Sequence, residues 1–533
     1  MSVARLEFDY IIAGGGSAGC TLAARLSEDP GVRVCLVEAG AHDDSVLVKV
    51  PLGSAVMLPS KIRNWAFNTL PQPGLGGRRG YQPRGKSLGG SSSINAMIYT
   101  RGHPGDYDHW AAQGATGWSW NEVLPYFLRA ENNERGASAL HAIGGPLNVT
   151  EVRSPNRFAH LFVEAAMHAG LPANADFNGS EQEGVGFYQV TQKNGERWNA
   201  ARAYLHPAMQ RPNLTVMTDA TALRIVFAEK RAIGLEIERG RRRETLHAAR
   251  EVICALGAFQ SPQLLMCSGI GPAGHLREHG VDVLCDAPGV GSNLQDHIDF
   301  TFNLRIASAD LVGVSLAGMW RLCRDIFRWR NERNGMLTSN GAESGGFVKS
   351  RPDLDRPDLQ LHFVIGMVDD HTRKRHLGHG LSLHVCVLRP KSRGSVRIAG
   401  GDMRQPPVID PQFLSAPEDL AGLVRGFKLA RRILRAPPFE AFPAEELYTA
   451  EVESDPDIEQ VIRQRADTIY HPVGTCRMGT DEQAVLDPQL RVWGVDGLRV
   501  VDCSVMPTLI GGNTNAPAIM IGEKAAAMIR AGN

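Results

Sequence analysis

The sequence predicts an α/β protein with several structural units, organised at its N-terminal end around a buried parallel sheet. Three observations lead to this fold class: the chain has 533 residues, its hydrophobic content of 43% is typical of globular proteins, and it opens with alternating strand-like and helix-like segments. The 57 Lys and Arg residues balance the 57 Asp and Glu residues. A chain without net charge provides no bulk attraction to nucleic acid, so no nucleic-acid partner is expected.

The first strand-like segment leads directly into a glycine-rich turn. Residues 8–13 (FDYIIA) are short and mostly apolar, as expected for a buried parallel strand. Gly14, Gly16 and Gly19 follow with the spacing GxGxxG, and the next segment, CTLAARLS, has a helical pattern. Gly14 permits the tight turn, and Gly16 lets a pyrophosphate approach the backbone. Gly19 lets the helix pack closely on the strand.

A second strand-like segment, VRVCLVE, ends at Glu38, which lies 19 residues after Gly19. An acid at this point can accept hydrogen bonds from ribose hydroxyls, while the start of the helix at Ser17 and Ala18 faces the phosphates. A glycine-rich loop alone would be weak evidence, but strand, glycines, helix, second strand and acid occur here in order. We therefore predict a Rossmann-like dinucleotide-binding domain, with Ala39 in the same site. The motif by itself does not distinguish NAD from FAD.

Later segments decide between the two dinucleotides through a family resemblance. Residues 84–95 (RGKSLGGSSSIN) and 257–262 (GAFQSP) resemble the two signatures of the glucose–methanol–choline (GMC) oxidoreductases, which are FAD enzymes. Residues 470–479 (YHPVGTCRMG) and 512–517 (GNTNAP) resemble their active-site segments. Because these blocks span nearly the whole chain in the family's order, the chain is identified as a member of this family. Residues 186–195 (GFYQVTQKNG) and 342–350 (AESGGFVKS) further resemble the alcohol dehydrogenases of bacterial alkane degradation, with choline and polyethylene glycol dehydrogenases as near relatives.

The resemblance implies the GMC fold, in which an FAD-binding Rossmann-like domain is joined to a substrate-binding domain built on a mixed antiparallel sheet with helices. We place the FAD-binding domain at 1–300, with part of the substrate-binding domain inserted around 155–200. The substrate-binding domain itself is placed at 301–460. Residues 461–533 return to the FAD-binding domain and carry the catalytic pair.

The glycine- and serine-rich block lacks apolar periodicity, which predicts a loop. Gly89 and Gly90 let the backbone lie against a planar ring, and the amides and hydroxyls that follow can donate hydrogen bonds to flavin heteroatoms. Some family members carry a histidine bonded covalently to the flavin at the position of Ile94, so FAD is predicted to bind here non-covalently. Further cofactor contacts are assigned by the resemblance to Trp65, Arg84, Leu88, Ser91, Asn95, Ala96, Met97, Ala222, Asp502, Asn515, Ala516 and Pro517.

His471 is the predicted catalytic base. An isolated histidine in an apolar segment is more often structural, but Pro472 favours an extended backbone, Gly474 leaves open space, and the segment resembles the family's catalytic block. An imidazole with an ordinary pKa of about 6.5 can take a proton from an alcohol near neutral pH. The resemblance makes Asn515 the second member of the pair, binding the substrate oxygen, although an asparagine before a helix can also be a cap.

The resemblance implies FAD-dependent oxidation of primary, aliphatic, medium-chain alcohols to aldehydes, with hydride transfer to flavin N5. Electrons would pass to a quinone or another electron acceptor. A choline dehydrogenase and an oxygen-using alcohol oxidase are alternatives within the family, and a hydroxynitrile lyase is an alternative of another class. Glu343 could pair with the cation of choline, but a structural carboxylate is the more common role, and no aromatic cage is evident.

Residues 319–330 have a helical pattern, with an apolar stripe at 319, 322, 323, 326 and 327 and arginines away from it. Such a helix more commonly packs by its apolar face on its own domain, but it can also lie in a membrane interface, and the resemblance strengthens this second interpretation. Neither a leader peptide nor a membrane-spanning segment is predicted. We therefore expect a cytoplasmic protein that can bind peripherally to the inner face of the cell membrane.

No metal site is predicted. The nine cysteines are scattered and odd in number, which favours neither a disulfide framework nor zinc. The histidines at 371, 376 and 379 lie among cations and lack the spacing of a metal-binding helix, so a solvated loop is expected.

Overall fold

The computed structural model describes residues 7–532 and confirms the predicted α/β fold, with one mainly parallel sheet and one antiparallel sheet. Residues 1–6, which belong to the segment in which no leader is predicted, and residue 533 lie outside the described residues. Each large sheet has its own hydrophobic core, and helices cover both cores.

The first sheet carries the N-terminal strand at its centre. Glu7–Ala13 pairs in parallel with Val34–Val37 on one side and with Arg242–Cys254 on the other. Every residue of Val34–Val37 is buried, as expected for a parallel strand that is covered on both faces. Across the sheet the strands are Leu214–Met217, Val34–Val37, Glu7–Ala13, Arg242–Cys254, Arg231–Arg239 and Ala220–Ala228, and Leu498–Val500 also pairs with Arg242–Cys254.

The first and last long helices of this part pack against each other. Gly522 of the last helix approaches Ala18 of the first so closely that a Cβ would lie 3.0 Å from the Ala18 carbonyl oxygen. Arg25 Nη2 lies 2.8 Å from Oε1 of the buried Glu523, which also ties the two helices together. The helices of this part are Ser17–Leu26, Val46–Lys49, Ser54–Met57, Pro104–Ala112, Trp120–Ala130, His206–Ala208, Gly257–Cys267, Ala273–Glu278 and Asn515–Ala531.

The second sheet is antiparallel and begins with Ile298–Ile306, close to the predicted domain limit at 300. Gly184–Phe187, from the segment predicted as an insertion, forms its far edge. The domain limits along the chain stay a prediction. Across the sheet the strands are Ala444–Leu447, Ile298–Ile306, Gly378–Val387, Leu359–Val364, Ser344–Val348 and Gly184–Phe187, while Gly313–Val314 and Asp467–Thr468 pair at its margins.

Aromatic side chains join this sheet to the helices that cover it. Phe427 lies with its ring centroid 5.1 Å from Phe300 and 4.6 Å from Phe302, and Phe162 stacks on Phe363 at 4.9 Å. Such pairs contribute about 0.5–1.5 kcal/mol beyond the area that they bury. The helices of this part are Arg157–His168, Leu316–Glu332, Pro417–Leu434, Pro437–Glu440 and Asp455–Arg465.

Short strands connect the two parts. Val408–Asp410 pairs with Ser395–Arg397 and, through Ile409 and Thr69, with a strand from the N-terminal third of the chain. The remaining short strands are Phe67–Pro71 with Arg79–Gln82, Glu131–Asn133 with Leu147–Val149, Ile270–Gly271 with Cys285–Asp286, and Gln192–Lys193 with Glu196–Arg197.

The predicted helix at 319–330 forms, with bounds Leu316–Glu332, but its apolar stripe does not pack on the protein. Met319, Trp320 and Phe327 are 60%, 73% and 67% exposed. The helix instead buries Asp325 and Trp329, whose indole Nε1 donates to the Gly195 carbonyl oxygen at 2.9 Å. The alternative that the apolar stripe packs on its own domain is therefore wrong.

Among residues 7–532, no helix combines the length and the apolar character needed to cross a membrane.

Candidate active site

A cavity of about 560 Å³ lies between the two sheets. Gly14, Glu38, Ala255 and Asp502 line it, and each follows the carboxyl end of a parallel strand in the first sheet. His362, on a strand of the second sheet, belongs to the opposite wall. The crevice at the carboxyl ends of parallel strands is where α/β proteins bind their ligands.

Most of the predicted cofactor residues share this cavity, while six do not line it. A Cβ on Gly19 would lie 1.9 Å from the Gly14 carbonyl oxygen, so Gly19 serves the helix–strand packing. The Gly89 amide donates to the Gly15 carbonyl oxygen at 2.8 Å, which joins two loops. Leu88, Ala222, Ala516 and Pro517 are buried outside the lining. The lining includes Gly14, Gly16, Ser17, Ala18, Glu38, Ala39, Trp65, Arg84, Gly90, Ser91, Asn95, Ala96, Met97, Asp502 and Asn515.

The glycine turn leaves open space for a dinucleotide. A Cβ on Gly16 would meet no neighbouring atom closer than 3.8 Å, and the helix that starts at Ser17 has no side-chain cap on its first amides. An uncapped helix start is a suitable site for a pyrophosphate. Nε and Nη2 of Arg84 are buried beside the cavity without a hydrogen-bond partner among residues 7–532. The site therefore fits FAD in space and in charge.

Replacing Gly16 with alanine is expected to leave the fold intact but to weaken FAD binding at least about tenfold, or about 1.4 kcal/mol. The added methyl group fits the protein but occupies the space in which the pyrophosphate would contact the main chain. FAD titration of the apoprotein measures the affinity, and thermal unfolding measures the fold. The matched control is Gly19→Ala, which is expected to destabilise the protein itself. A Gly16→Ala protein with unchanged FAD affinity would show that the pyrophosphate lies elsewhere.

Two carboxylates at the strand ends hold the loops around the cavity. Glu38 accepts hydrogen bonds from the amides of Gly15 at 2.9 Å and Gly40 at 2.7 Å, and burial raises the pKa of Glu38 to about 7. Asp502 accepts from the Gly257 amide at 2.9 Å, and burial also raises the pKa of Asp502. Glu38 thus orders the glycine turn in addition to the ribose contact predicted for it.

His471 lies in the same cavity, 8% exposed. Its main-chain amide donates to Asp296 Oδ1 at 2.8 Å. Its ring Nδ1 is 2.9 Å from His297 Nδ1, and its Nε2 is 3.1 Å from Asn513 Nδ2. Burial holds the pKa of His471 well below its usual range, and the neighbouring histidines and Arg84 lower this pKa further. The imidazole is therefore neutral near pH 7 and can act as a base.

The prediction that Asn515 pairs with His471 is wrong, because the amide at His471 belongs to Asn513, two residues earlier. Asn515 is the first residue of the last helix, and its Oδ1 accepts a hydrogen bond from Ser17 Oγ at 2.7 Å. Asn515 thus joins the starts of the first and last helices. Both asparagines line the cavity.

Sequence reasoning missed His362, which lines the cavity at 4% exposure. Neither of its ring nitrogens makes a hydrogen bond of normal geometry with another described residue, although Asn513 lies nearby. Burial lowers the pKa of His362 to about 3, so its ring is neutral. The signal was present in the strand LQLHFV, where polar Gln360 and His362 alternate with apolar residues and so share one face.

Glu343 does not line the cavity. Its carboxylate accepts from Ser339 Oγ and from the Asn156 amide, each at 2.6 Å, and burial raises the pKa of Glu343 to about 6. These bonds support the structural role and not a contact with a cationic substrate.

The histidines expected in a solvated loop have separate structural partners. His371 is buried, with its Nε2 3.1 Å from Asp467. His376 Nε2 lies 2.7 Å from Asp369, and His379 Nε2 lies 2.7 Å from a serine hydroxyl. The expectation of a solvated loop is therefore wrong for His371.

A different trio brings metal-type ligand atoms together. Within residues 7–532, His42, Asp43 and His206 hold three such atoms within 4.8 Å of one another. His206 Nε2 and Asn199 Nδ2 lie 2.7 and 3.0 Å from the buried Asp43 carboxylate, and hydrogen bonds account for these contacts without a metal.

Comparison with known proteins decides the family. Two family models, both described as GMC oxidoreductase, match residues 8–299 and 390–522. The chain belongs to the GMC oxidoreductases. It is therefore an oxidoreductase that uses FAD, in agreement with the fit of the cavity and the glycine turn.

Relatives within the GMC oxidoreductases match almost end to end. An alcohol dehydrogenase (acceptor) from Pseudomonas putida is 48% identical over 526 residues, covering 98% of this chain and 95% of the relative. An oxygen-dependent choline dehydrogenase from Brucella ovis is 42% identical over 523 residues, covering 98% and 95%. Among solved structures, pyridoxine 4-oxidase from Mesorbium loti matches with a TM-score of 0.88 and 32% identity, covering 98% of this chain and 99% of that one.

Non-covalent attachment of FAD stays a prediction with a simple test. Ile94, at the position where some GMC enzymes carry the linking histidine, lines the cavity and offers only hydrocarbon. Acid precipitation of the purified protein is expected to release the flavin into the supernatant. Yellow colour that stays with the precipitate would contradict this prediction.

Proposed function

We propose that this GMC oxidoreductase oxidises primary, aliphatic, medium-chain alcohols to aldehydes and passes the electrons to a quinone-type acceptor. The observation that carries the proposal is the neutral, buried His471 beside the Asn513 amide in a cavity with an extended apolar wall. The 48% identical alcohol dehydrogenase supports the same chemistry. The apolar wall is formed by Leu52, Ala55, Leu58, Ile94, Val312, Val314, Val364, Ile365, Met367 and Val368.

The mechanism assigns one role to each polar side chain. The alcohol oxygen would accept a hydrogen bond from Asn513 Nδ2 while its proton passes to His471 Nε2. Because the ring is neutral and deeply buried, it is ready to accept that proton without first losing one. FAD, held by the glycine turn and the loop at Gly90 and Ser91, supplies the hydride acceptor when bound. The apolar wall orients the hydrocarbon chain and excludes water from the reacting group.

The charges around the cavity favour an alkyl alcohol over choline. The carboxylates in the lining, Glu38 and Asp502, already hold loops at the strand ends. Arg375 also lines the cavity, and its charge would repel a quaternary ammonium group, while Lys374, also in the lining, is paired with Asp369 at 3.7 Å. Glu343, the candidate partner for choline, lies outside the lining.

Anaerobic mixing of the purified enzyme with 1-octanol, and separately with choline, tests the substrate. Loss of the oxidised flavin absorbance with 1-octanol and not with choline is the expected result. Reduction by choline alone would replace the proposal with the choline dehydrogenase alternative. Absence of reduction by either compound would overturn the substrate assignment and direct attention to the hydroxynitrile lyase alternative, which needs no flavin reduction.

We further propose that the enzyme is cytoplasmic and binds peripherally to the inner face of the cell membrane through the helix Leu316–Glu332. Support comes from the exposed apolar stripe and from Arg324 and Arg328 on the same helix, which are 50% and 42% exposed and complement anionic lipid. Val314, which precedes the helix, is 50% exposed and also lines the cavity. An alcohol or a quinone dissolved in the bilayer would then reach the cavity directly.

The double variant Trp320→Ser, Phe327→Ser is expected to bind anionic vesicles at least about tenfold more weakly, since burying one large apolar side chain contributes about 1.5–3 kcal/mol. Its reduction by 1-octanol without vesicles should stay unchanged, because neither residue lines the cavity. Vesicle co-sedimentation measures the binding. Trp493→Ser is the matched control, since Trp493 is 50% exposed on another surface. Equal binding by wild type and double variant would contradict the proposed surface.

A further inference from the structure

A short chain of hydrogen bonds connects His471 to a main-chain carbonyl group through His297. His297 Nε2 lies 3.1 Å from the Leu388 carbonyl oxygen, which can only accept, so Nε2 carries the hydrogen. His297 is fully buried, and burial lowers its pKa to about 3, so its ring is neutral and its Nδ1 has no hydrogen. His471 Nδ1, 2.9 Å away, must therefore donate to it.

A second chain reaches the other ring nitrogen of His471 and also starts at a carbonyl group. The Tyr188 hydroxyl donates to the Leu361 carbonyl oxygen at 2.6 Å, so its oxygen accepts from Gln360 Nε2 at 3.3 Å. Gln360 Nε2 then donates to Asn513 Oδ1 at 3.0 Å. Because the Asn513 oxygen faces Gln360, the Asn513 NH₂ group faces His471 Nε2, 3.1 Å away. An NH₂ group only donates, so His471 Nε2 must be the acceptor.

We propose that His297, Tyr188 and Gln360 are positioning residues that fix His471 as the tautomer with hydrogen on Nδ1 and a free electron pair on Nε2. The two chains are independent, and both require this tautomer. The inference rests on the proposed function, in which Nε2 takes the alcohol proton. In the other tautomer Nε2 would carry a hydrogen and could not accept one.

The same geometry determines where the proton goes after it reaches His471. His297 cannot pass it on, because its Nε2 hydrogen is bonded to the Leu388 carbonyl oxygen, which is not a base, so the chain of hydrogen bonds ends there. The proton therefore leaves His471 on the cavity side. His297 orients the base and does not relay protons.

The isosteric variants His297→Leu and His297→Asn test the first chain. Asparagine keeps an acceptor near the Nδ1 position, and leucine does not. We expect flavin reduction by 1-octanol to be about 100-fold slower in His297→Leu than in the wild type, with the apparent alcohol affinity unchanged. The rate in His297→Asn should be at least about tenfold higher than the rate in His297→Leu. FAD content and thermal unfolding establish that both holoenzymes are intact. Wild-type reduction by His297→Leu, or equal rates in the two variants, would overturn the proposal.

Nuclear magnetic resonance of the holoenzyme labelled with ¹⁵N-histidine tests the tautomer without substrate or variant kinetics. The His471 signals, assigned by their loss in His471→Gln, are expected to show hydrogen on Nδ1 and none on Nε2. Hydrogen on Nε2 would overturn the proposal. If the predicted tautomer is present but no alcohol reduces the flavin, the proposed function fails while the positioning of His471 stands.

Discussion

Replacing His471 with alanine is expected to slow flavin reduction by 1-octanol at least about 100-fold while FAD stays bound, because general-base catalysis contributes about this much or more. In the proposed mechanism His471 is the base, and its Nε2 lies 3.1 Å from the amide nitrogen of Asn513 in the cavity. The side chain is buried, but its removal leaves a space with polar walls that water can fill. Rapid-mixing measurement of flavin absorbance under anaerobic conditions gives the rate directly.

The control for this variant is His247→Ala, which alters a half-buried histidine on the first sheet, outside the cavity lining. That protein should reduce its flavin at the wild-type rate. If His471→Ala also reaches the wild-type rate with full FAD content, His471 is not the base, and the proposed mechanism fails at its first step.

Replacing Asn513 with alanine is expected to slow flavin reduction about 100-fold, the usual cost of removing one donor to a reacting oxygen. The matched variant Asn515→Ala should slow reduction by less than about tenfold, since Asn515 bonds Ser17 and not His471. It should instead weaken FAD retention, because that bond joins the starts of two helices beside the cofactor site. The same rapid-mixing experiment and an FAD titration separate the two effects.

The relative rates of these two variants show whether Asn513, which lies at His471 in the structure, or Asn515, which was predicted from the sequence, acts with His471. A larger loss in Asn515→Ala than in Asn513→Ala, with FAD bound in both proteins, would restore Asn515 as the second member of the catalytic pair. Equal losses would show that the helix start as a whole is needed, and not one amide.

The N-terminal nucleotide-binding unit could be predicted from the sequence because its signals are local. An apolar strand, a glycine turn and a helical pattern occur within residues 8–26, and each has one simple structural meaning. Glu38 could be placed for the same reason, as the residue that ends the second strand. Its two main-chain donors could not be foreseen, because they depend on how the turns close in space.

Which asparagine lies at His471 could not be predicted, because the segment NTNAP offers two asparagines two residues apart. The outcome depends on where the last helix begins, and helix boundaries shift easily by one or two residues. The helix starts at Asn515, which turns its side chain to Ser17 and leaves Asn513 in the loop facing His471.

The residues that contact His471 and Asn513 could not be predicted from the sequence either. His297 and Gln360 come from parts of the chain more than 100 residues away from His471. Only the assembled sheet places them at the site.

For the helix Leu316–Glu332, periodicity identified the apolar stripe. It did not identify the face that packs on the protein, which is the face that buries Asp325 and Trp329.

Anaerobic reduction of the enzyme by 1-octanol and by 1-octanol deuterated at the hydroxyl-bearing carbon is the most direct test of alcohol oxidation in this cavity. We expect both alcohols to remove the oxidised flavin absorbance, and the deuterated alcohol to do so several-fold more slowly, because the bond to that hydrogen breaks as the flavin is reduced. The loss should nearly vanish in His471→Ala. Absorbance that stays unchanged with either alcohol in the wild-type enzyme would contradict alcohol oxidation as its function.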